Sequence, residues 1–470
     1  MYVKKNSLLK ATFMKLKKST RIGIWGYGVF GKAAVRYFHS LGHHVGVMNK
    51  NVFNDAEQKY LHDNAITMHN ESEKNYFFNF HDYIIASPGV DISFDYPTYK
   101  HKWLTELDLF QQFFSSPIIS ITGSIGKTST MHLVQSLLHA NNKKIAFGGN
   151  IGIPTFDLIH LNQSVDYALL ETSSFQLQYC TTFAPKLAIW TNLHPNHLDH
   201  HGTQTGYCMA KYMSMAHQSS FDFSLLPLSL RDKIPAPAKG HMRSYFTLEK
   251  PTETLYVQLT PNEQVYSLEN KNIICYHNNN FTKIFTLDDA LCSFSFIENI
   301  LIVAAASDIL KLDNNSLYAL PTTTQLPEHR LEKVATINFI EFYNDSKSTT
   351  TISTLSAVEK LKNKPIHLFL GGLSKGVDRS LFIAQLPSTI KFVYCFGQEA
   401  QELYTYCMYN NIPAQSFTNL TDAFAHCITI VQPHDNILLS PAGSSYDLYK
   451  NYVERGNHFK SLVMTYQQTF

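Results

Sequence analysis

The chain has 470 residues, 44% of them hydrophobic, and a formal net charge of +2. That length holds about three domains of ordinary size, the apolar fraction is ample for packed cores, and the near-neutral balance gives no electrostatic pull toward nucleic acid. Seven cysteines without a CxxC pair argue against a disulfide framework and for a reducing compartment, and no apolar run reaches membrane-spanning length.

Met1 to Arg21 is basic, with Lys4, Lys5, Lys10, Lys15, Lys17, Lys18 and Arg21. It lacks the apolar core and cleavage site of a secretory signal, and reads as a solvated extension or, second, a weak contact for an anionic surface. Arg21 to Gly31 then gives a short strand and a GxGxxG turn at Gly26, Gly28 and Gly31. A helix from Lys32 to Leu41 and a strand from His44 to Met48 follow, a Rossmann-like βαβ start. An NAD site would place an acid after the second strand. Asn49, Lys50 and Asn51 stand there instead, which leaves another nucleotide diphosphate as a ligand. Asp82 to Val90 reads as a buried strand ending in the turn Ser87-Pro88-Gly89, either a plain turn or a ligand-facing strand end.

A connecting segment, Thr105 to Phe114, leads to Ile118-Ile-Ser-Ile-Thr-Gly-Ser-Ile-Gly-Lys-Thr-Ser-Thr130 and an apolar helix from Met131 to Ala140. Strand, glycine loop and helix in that order make a phosphate-binding loop, here in a short form with two residues between Gly123 and Gly126. Glycines let backbone N–H groups approach phosphate oxygens, and the helix N-terminus adds positive potential. Ser124 and Ser129 complete the loop, Lys127 would reach the β/γ-phosphates, and the Thr128 hydroxyl would ligate Mg²⁺. Three further strands end in polar residues. Lys144–Gly152 carries Asn150 at its tip, Val165–Leu170 leads into Glu171-Thr-Ser-Ser-Phe-Gln-Leu177, and Lys186–Asn192 leads into His194-Pro-Asn-His-Leu-Asp-His-His201. Glu171 suits Mg²⁺ beside nucleotide phosphates, or serves as a helix N-terminal acid. The histidines admit a zinc reading or, for His197 alone, a second divalent ion. Lys211, on a helical segment from Tyr207 to Ala216, reads on composition as a solvated surface lysine.

From Phe221 to Phe285 short strands and loops are expected, with the polar tract Asn270 to Asn280 as a loop. A buried helix spans Glu298 to Leu310, and Leu326 to Glu332 marks a boundary. The last segment is again α/β, with strands at 337–343, 366–371, 392–397 and 436–440. Their ends carry Asn344-Asp-Ser-Lys-Ser-Thr-Thr350, Gly371 to Asp378 with Lys375, and Ser440-Pro-Ala-Gly-Ser-Ser-Tyr446.

These residues, in this order, resemble the Mur ligases of peptidoglycan synthesis, from about Arg21 to Phe459. The discriminating pieces are Ser173-Ser-Phe-Gln-Leu177 after Glu171, Asn344-Asp-Ser-Lys347, and Ser440-Pro-Ala with Asp447 and Arg455-Gly-Asn-His-Phe459. The resemblance implies an α/β chain of three domains: a UDP-binding Rossmann-like domain (20–105), a central ATPase (106–326) and a Rossmann-like amino-acid domain (327–470). It implies an ATP-dependent amide-forming ligase of EC 6.3.2 type that adds D-glutamate to UDP-N-acetylmuramoyl-L-alanine. The enzyme would be a cytoplasmic monomer using ATP and two Mg²⁺ ions. A ligase for another amino acid, or a non-catalytic relative, is the alternative. By position, Lys127 and Thr128 match ATP and Mg²⁺ contacts, Glu171 a Mg²⁺ ligand, and Asn150 a muramoyl contact. His197 and Lys211 match a second-metal pair whose lysine is N-carboxylated. Asn299, Arg330 and Asp345 match ATP contacts, Lys347, Thr349, Lys375, Ser445 and Tyr452 the D-glutamate pocket, and Ser87 the UDP-sugar domain. The chain departs from the family at Val29, Phe30, Asn196, Ser295, Phe296, Thr350 and Tyr452.

Overall fold

The structure, a computed structural model, describes residues 19–236, 241–374 and 377–469. Lys375 and the basic extension up to Lys18 lie outside the described residues. The chain divides into two compact units, Met1–Thr324 and Gln325–Phe470.

The first unit opens with β1 (Arg21–Trp25), β2 (His44–Asn49), β3 (Thr67–Asn70) and β4 (Tyr83–Ala86), a parallel sheet in the order β3-β2-β1-β4. Helix α1 (Val29–Ser40) follows the first glycine turn. A Cβ on Gly31 would lie 2.0 Å from the Gly26 carbonyl oxygen, so the turn requires glycine there. The segment read as a connection is helical, α2 (Glu106–Phe113), because Thr105 caps it by accepting from the Asp108 amide at 3.3 Å.

Among the described residues, the second sheet of this unit has nine strands: β5 (Ile118–Thr122), β6 (Ile145–Gly149), β7 (Tyr167–Glu171), β8 (Leu187–Trp190), β9 (Phe223–Pro227), β10 (Met242–Thr247), β11 (Glu263–Glu269), β12 (Asn272–His277) and β13 (Asn280–Thr286). Their order is β13-β12-β11-β10-β9-β8-β5-β7-β6. From β6 to β11 the pairing is parallel, so the C-terminal ends of β5, β6, β7 and β8 share one edge. All five residues of β5 are buried, as expected of a strand covered on both faces. Helices α3 (Lys127–Ala140) and α4 (Ile297–Ile309) pack on this sheet around Ile119, Leu133, Leu169, Ile300 and Val303. Helix α3 starts four residues before the expected Met131, because Gly126 takes the left-handed conformation as its N-cap.

The polar tract Asn270–Asn280 is a strand between two tight turns, not a loop. Asn270 and Lys271 have φ of 48° and 64°, and Asn278 and Asn279 have 49° and 63°. Two successive left-handed residues make the turn whose twist suits a two-residue hairpin. The asparagines that look like loop composition thus fold β12 between its neighbours, with Ile273 and Cys275 buried.

The second unit holds β14 (Glu332–Ile337), β15 (Ile340–Asn344), β16 (Ile366–Gly371), β17 (Ile390–Phe396), β18 (Ala414–Phe417) and β19 (Asn436–Leu439) in the order β14-β15-β19-β16-β17-β18. Only the β14–β15 hairpin is antiparallel among these pairs. The ends of β15, β16 and β19 therefore also meet at one edge. Among the described residues, no helix is long and apolar enough to cross a membrane.

Candidate active site

At the shared edge of the central sheet, β5 runs into Gly123 (φ 146°) and Gly126 (φ 79°). A Cβ on Gly123 would stand 1.9 Å from Thr191 Oγ1, so the loop closes against β8 only with glycine there. The loop is pinned from that side. Asn192 Oδ1 accepts from the Ile125 amide at 3.0 Å, and Ser124 Oγ donates to the His194 carbonyl at 2.9 Å. The N-terminal turn of α3 then presents Lys127, whose ammonium donates to the carbonyls of Gly123 (2.9 Å) and Ser124 (3.2 Å). Such an end brings the first backbone amides and the positive pole of a 14-residue helix to the loop, which favours an anion.

The ends of β6 and β7 converge next to it. Thr128 Oγ1 donates to Glu171 Oε2 at 2.7 Å, and Asn150 Nδ2 donates to Glu171 Oε1 at 2.9 Å. Thr128 and Glu171 are buried, at 5% and 2% exposure. A hydroxyl and a carboxylate this close are hard oxygen donors of the kind Mg²⁺ takes. The set is mixed in type; among the described residues no group of three or more His, Cys, Asp or Glu is disposed to hold a metal.

Lys211 lies on the helix Gln204–Tyr212, but it is not a surface lysine: it is 1% exposed. Its ammonium donates to the Gly123 carbonyl at 2.9 Å and to Thr122 Oγ1 at 3.3 Å, and sits 4.7 Å from the Tyr207 ring centre. Burial, then the Lys127 charge, holds its pKa well below the ordinary lysine value. His197 has a left-handed backbone (φ 53°) and accepts support from Asn196, whose Oδ1 takes the His197 amide proton at 3.0 Å. Asn299 Oδ1 accepts from Thr130 Oγ1 at 3.3 Å, which brings the start of α4 to the phosphate-binding loop. Phe296 is the N-cap residue of that helix and makes no side-chain cap. At the N-terminal sheet, Ser87 Oγ donates to the Gly26 carbonyl at 3.0 Å, and Asn49 Oδ1, where an NAD site would carry an acid, accepts from the Tyr27 amide at 3.2 Å.

In the second unit the end of β15 carries Asp345, 5% exposed. It accepts from Ser440 Oγ at 2.7 Å and from the Leu331 amide, next to Arg330, at 3.0 Å. Burial pushes its carboxyl up to about 6. Lys347 Nζ lies 3.7 Å from the centre of the Tyr452 ring, so Tyr452 serves as an aromatic platform for that cation. Ser445 is buried, Thr349 partly so, and Thr350 caps the helix Thr351–Leu361. The fully buried Arg455 guanidinium donates to the carbonyls of Ser346 (2.8 Å) and Gly443 (3.1 Å). It thereby ties the segment before Lys347 to the segment before Ser445.

Sequence reasoning missed several partners of these groups. Tyr207, 1% exposed, holds Ser124 Oγ at 3.1 Å. Glu106, 5% exposed, accepts from Thr155 Oγ1 at 2.6 Å and Gln176 Nε2 at 2.9 Å, and burial raises its pKa. The one available signal was the Ser-Ser-Phe-Gln-Leu stretch itself. Ser173 and Gln176 form a reciprocal capping box over the short helix Ser174–Leu177.

Residues 121–306 match the Mur ligase middle domain. The chain is 30% identical over 456 residues to the UDP-N-acetylmuramoylalanine--D-glutamate ligase of Oleidesulfovibrio alaskensis, covering 94% of this chain and 93% of that protein. It is 28% identical over 464 residues to the enzyme of the same name from Leuconostoc mesenteroides, covering 96% and 98%. Among solved structures it is similar to a pseudomurein peptide ligase type C from Methanothermus fervidus, with a TM-score of 0.56, 15% identity and coverage of 95% and 100%. It is also similar to the UDP-N-acetylmuramate-alanine ligase of Thermotoga maritima, with a TM-score of 0.54, 16% identity and coverage of 96% and 100%. Identity at that level over nearly the full length of both chains, with the phosphate-binding loop and its acidic partner in place, means that this chain belongs to the Mur ligase family.

Proposed function

We propose that the chain joins D-glutamate to UDP-N-acetylmuramoyl-L-alanine at the expense of ATP, as a cytoplasmic monomer supplying peptidoglycan precursors. The observation that carries this reading is the meeting of Lys127, Thr128, Glu171 and Asn150 at one sheet edge, with Lys211 buried against the same loop. Its division is proposed as a UDP-binding domain (20–105), an ATP-binding domain (106–326) and an amino-acid domain (327–470).

A carboxylate is a poor acyl donor, so the γ-phosphoryl group of ATP is first transferred to the substrate carboxylate. The amine of D-glutamate then attacks the acyl phosphate and expels phosphate. Gly123, Ser124, Gly126 and Ser129 bind the ATP phosphates, and Lys127 carries the charge that develops on the transferring phosphoryl. Asn299, Arg330 and Asp345 orient the nucleotide. Thr128 and Glu171 would hold one Mg²⁺, and His197 with N-carboxylated Lys211 a second; bound there, the ions neutralise charge on phosphate and carboxylate oxygens. Ser87 and Asn150 bind the UDP-sugar substrate. Lys347, Lys375, Thr349, Ser445 and Tyr452 bind the amino acid, and two lysines with hydroxyls suit a substrate bearing two carboxylates.

The test is phosphate release in the presence of UDP-N-acetylmuramoyl-L-alanine and ATP against a panel of amino acids. Release is expected with D-glutamate, far above D-alanine, glycine or a diamino acid. Preference for a neutral or diamino substrate would refute the assignment of the amino acid, and ATP-independent or absent turnover that of the ligase.

A further inference from the structure

We infer that Phe175 is a positioning residue for His197, and that Glu106 anchors the turn presenting it. The inference rests on the cation site proposed above.

Phe175 sits on a helix of one turn, Ser174–Leu177, too short to hold itself in place. Two fastenings fix it. Gln176 Oε1 accepts from the Ser173 amide (3.0 Å) and Ser173 Oγ (2.9 Å). The other end of the same amide donates to Glu106 Oε2 at 2.9 Å, and Glu106 Oε1 takes the Thr155 hydroxyl. Glu106 and Thr155 are 5% and 0% exposed, so water does not compete for these bonds. The turn is therefore tied both to its own cap and to the buried start of the helix Glu106–Phe113.

From that platform the Phe175 ring reaches three imidazoles of the next loop. It meets His197 edge-to-face at 5.0 Å between ring centres, His200 at 4.5 Å and His201 at 5.5 Å. The loop is fastened to the same turn at two further points, His201 Nε2 to Ser174 Oγ and His200 Nε2 to Gln178 Oε1, each at 2.9 Å. Tyr207 is a second ring beside His197, with ring centres 6.3 Å apart. The left-handed backbone of His197 fixes where its side chain starts, not how the ring turns about χ1 and χ2. Contacts with the Phe175 and Tyr207 rings restrict that. An imidazole with a set plane keeps one nitrogen aimed at the cation, and outer partners that fix a ligand's orientation matter to affinity about tenfold or more.

The experiment uses the full chain as Phe175→Leu, Phe175→Tyr, Glu106→Ala, Glu106→Gln and His197→Ala. Three readouts apply: Mn²⁺ affinity by electron paramagnetic resonance, the ring proton shifts of ¹⁵N-labelled His197, and the Mg²⁺ needed for half-maximal turnover beside the KM for ATP. Phe175→Leu is expected to remove the ring-current shift of His197. It should weaken Mn²⁺ binding and raise the Mg²⁺ requirement, each about tenfold, with the KM for ATP unchanged. Phe175→Tyr keeps the ring and restores all three. Glu106→Ala acts as Phe175→Leu does, whereas Glu106→Gln accepts from Gln176, donates to Thr155 and rescues. Unchanged Mn²⁺ affinity in Phe175→Leu beside a loss in His197→Ala overturns the proposal alone. Unchanged affinity in His197→Ala overturns the reading of His197 as a ligand, and the proposal falls with it.

Discussion

Asp345→Asn should stabilise the second unit at neutral pH while lowering activity. The Asp345 carboxyl is raised from 3.8 to about 6, chiefly by burial, against the opposing hydrogen bonds from Ser348, Ser440 and the Leu331 amide. Between those values the folded chain binds more protons than the unfolded one, so stability falls as pH rises through that window. Above pH 6 the full cost is present, about 3 kcal/mol for a shift of about two units; below pH 4 it is absent. Asparagine carries no charge and avoids this cost. It loses one acceptor, worth about 1 kcal/mol. Ser440 offsets part of that loss, because its hydroxyl has Thr354 Oγ1 at 3.0 Å as a second acceptor and can then receive the new amide. The net gain is about 2 kcal/mol at pH 8. Trp25, Trp103 and Trp190 all lie in the first unit, so tryptophan fluorescence does not follow this change. Hydrogen exchange of β15 and β19 does, and their protection should rise more than tenfold at pH 8 with no gain at pH 4. Protection lower than wild type at pH 8, or an equal gain at both pH values, would refute the assignment of a buried charge cost to Asp345. The accompanying loss of turnover follows from its proposed contact to ATP.

Lys127→Ala should reduce phosphate release by about two to three orders of magnitude with an unchanged circular dichroism spectrum; turnover within a few-fold of wild type removes Lys127 from the mechanism. Lys211→Arg and Lys211→Ala should both be nearly inactive, with formate or acetate restoring part of the activity of the alanine variant. Substantial activity in Lys211→Arg would mean that a positive charge suffices and that no carbamate forms. Gly123→Ala should be destabilised by more than about 1 kcal/mol and inactive, since its φ is 146° and its new methyl would meet Thr191 Oγ1; wild-type melting would refute that packing.

The strand-loop-helix unit at Ile118 was legible because a β-branched run, two glycines and Lys-Thr each report local geometry. The same holds for β15 and β19, whose apolar runs end in polar clusters. What the sequence hides is whatever depends on the order of strands. β5 lies between β7 and β8, and only that order brings Thr128 to Glu171 and Lys211 to Gly123. Lys211 is 88 residues from its carbonyl acceptor, so no local pattern marks it as buried. Composition misled at Asn270–Asn280, where asparagines supply left-handed turn residues and not a loop. Glu106 was invisible for a different reason: a helix N-terminal acid is ordinarily solvated, and only its tertiary partners reveal a buried anchor.

The two lysines at the phosphate-binding loop pose a physical problem that the proposed chemistry resolves. Lys127 and Lys211 both donate to the single carbonyl of Gly123, each at 2.9 Å. Two ammonium groups sharing one acceptor repel, and at Lys211 the charge is also cut off from water. Both effects favour the neutral amine there, the form that reacts with CO₂. The amine nitrogen forms a bond to carbon and releases one proton, leaving a carbamate with a negative charge. That single step turns a like-charge contact with Lys127 into an attractive one. It also converts a side chain that cannot ligate a cation into an oxygen donor. A protonated Lys211 would keep its charge buried beside another of the same sign, with Glu171 as the principal compensation. The burial that sets Lys211 apart from a surface lysine is thus the same feature that makes its amine available for modification.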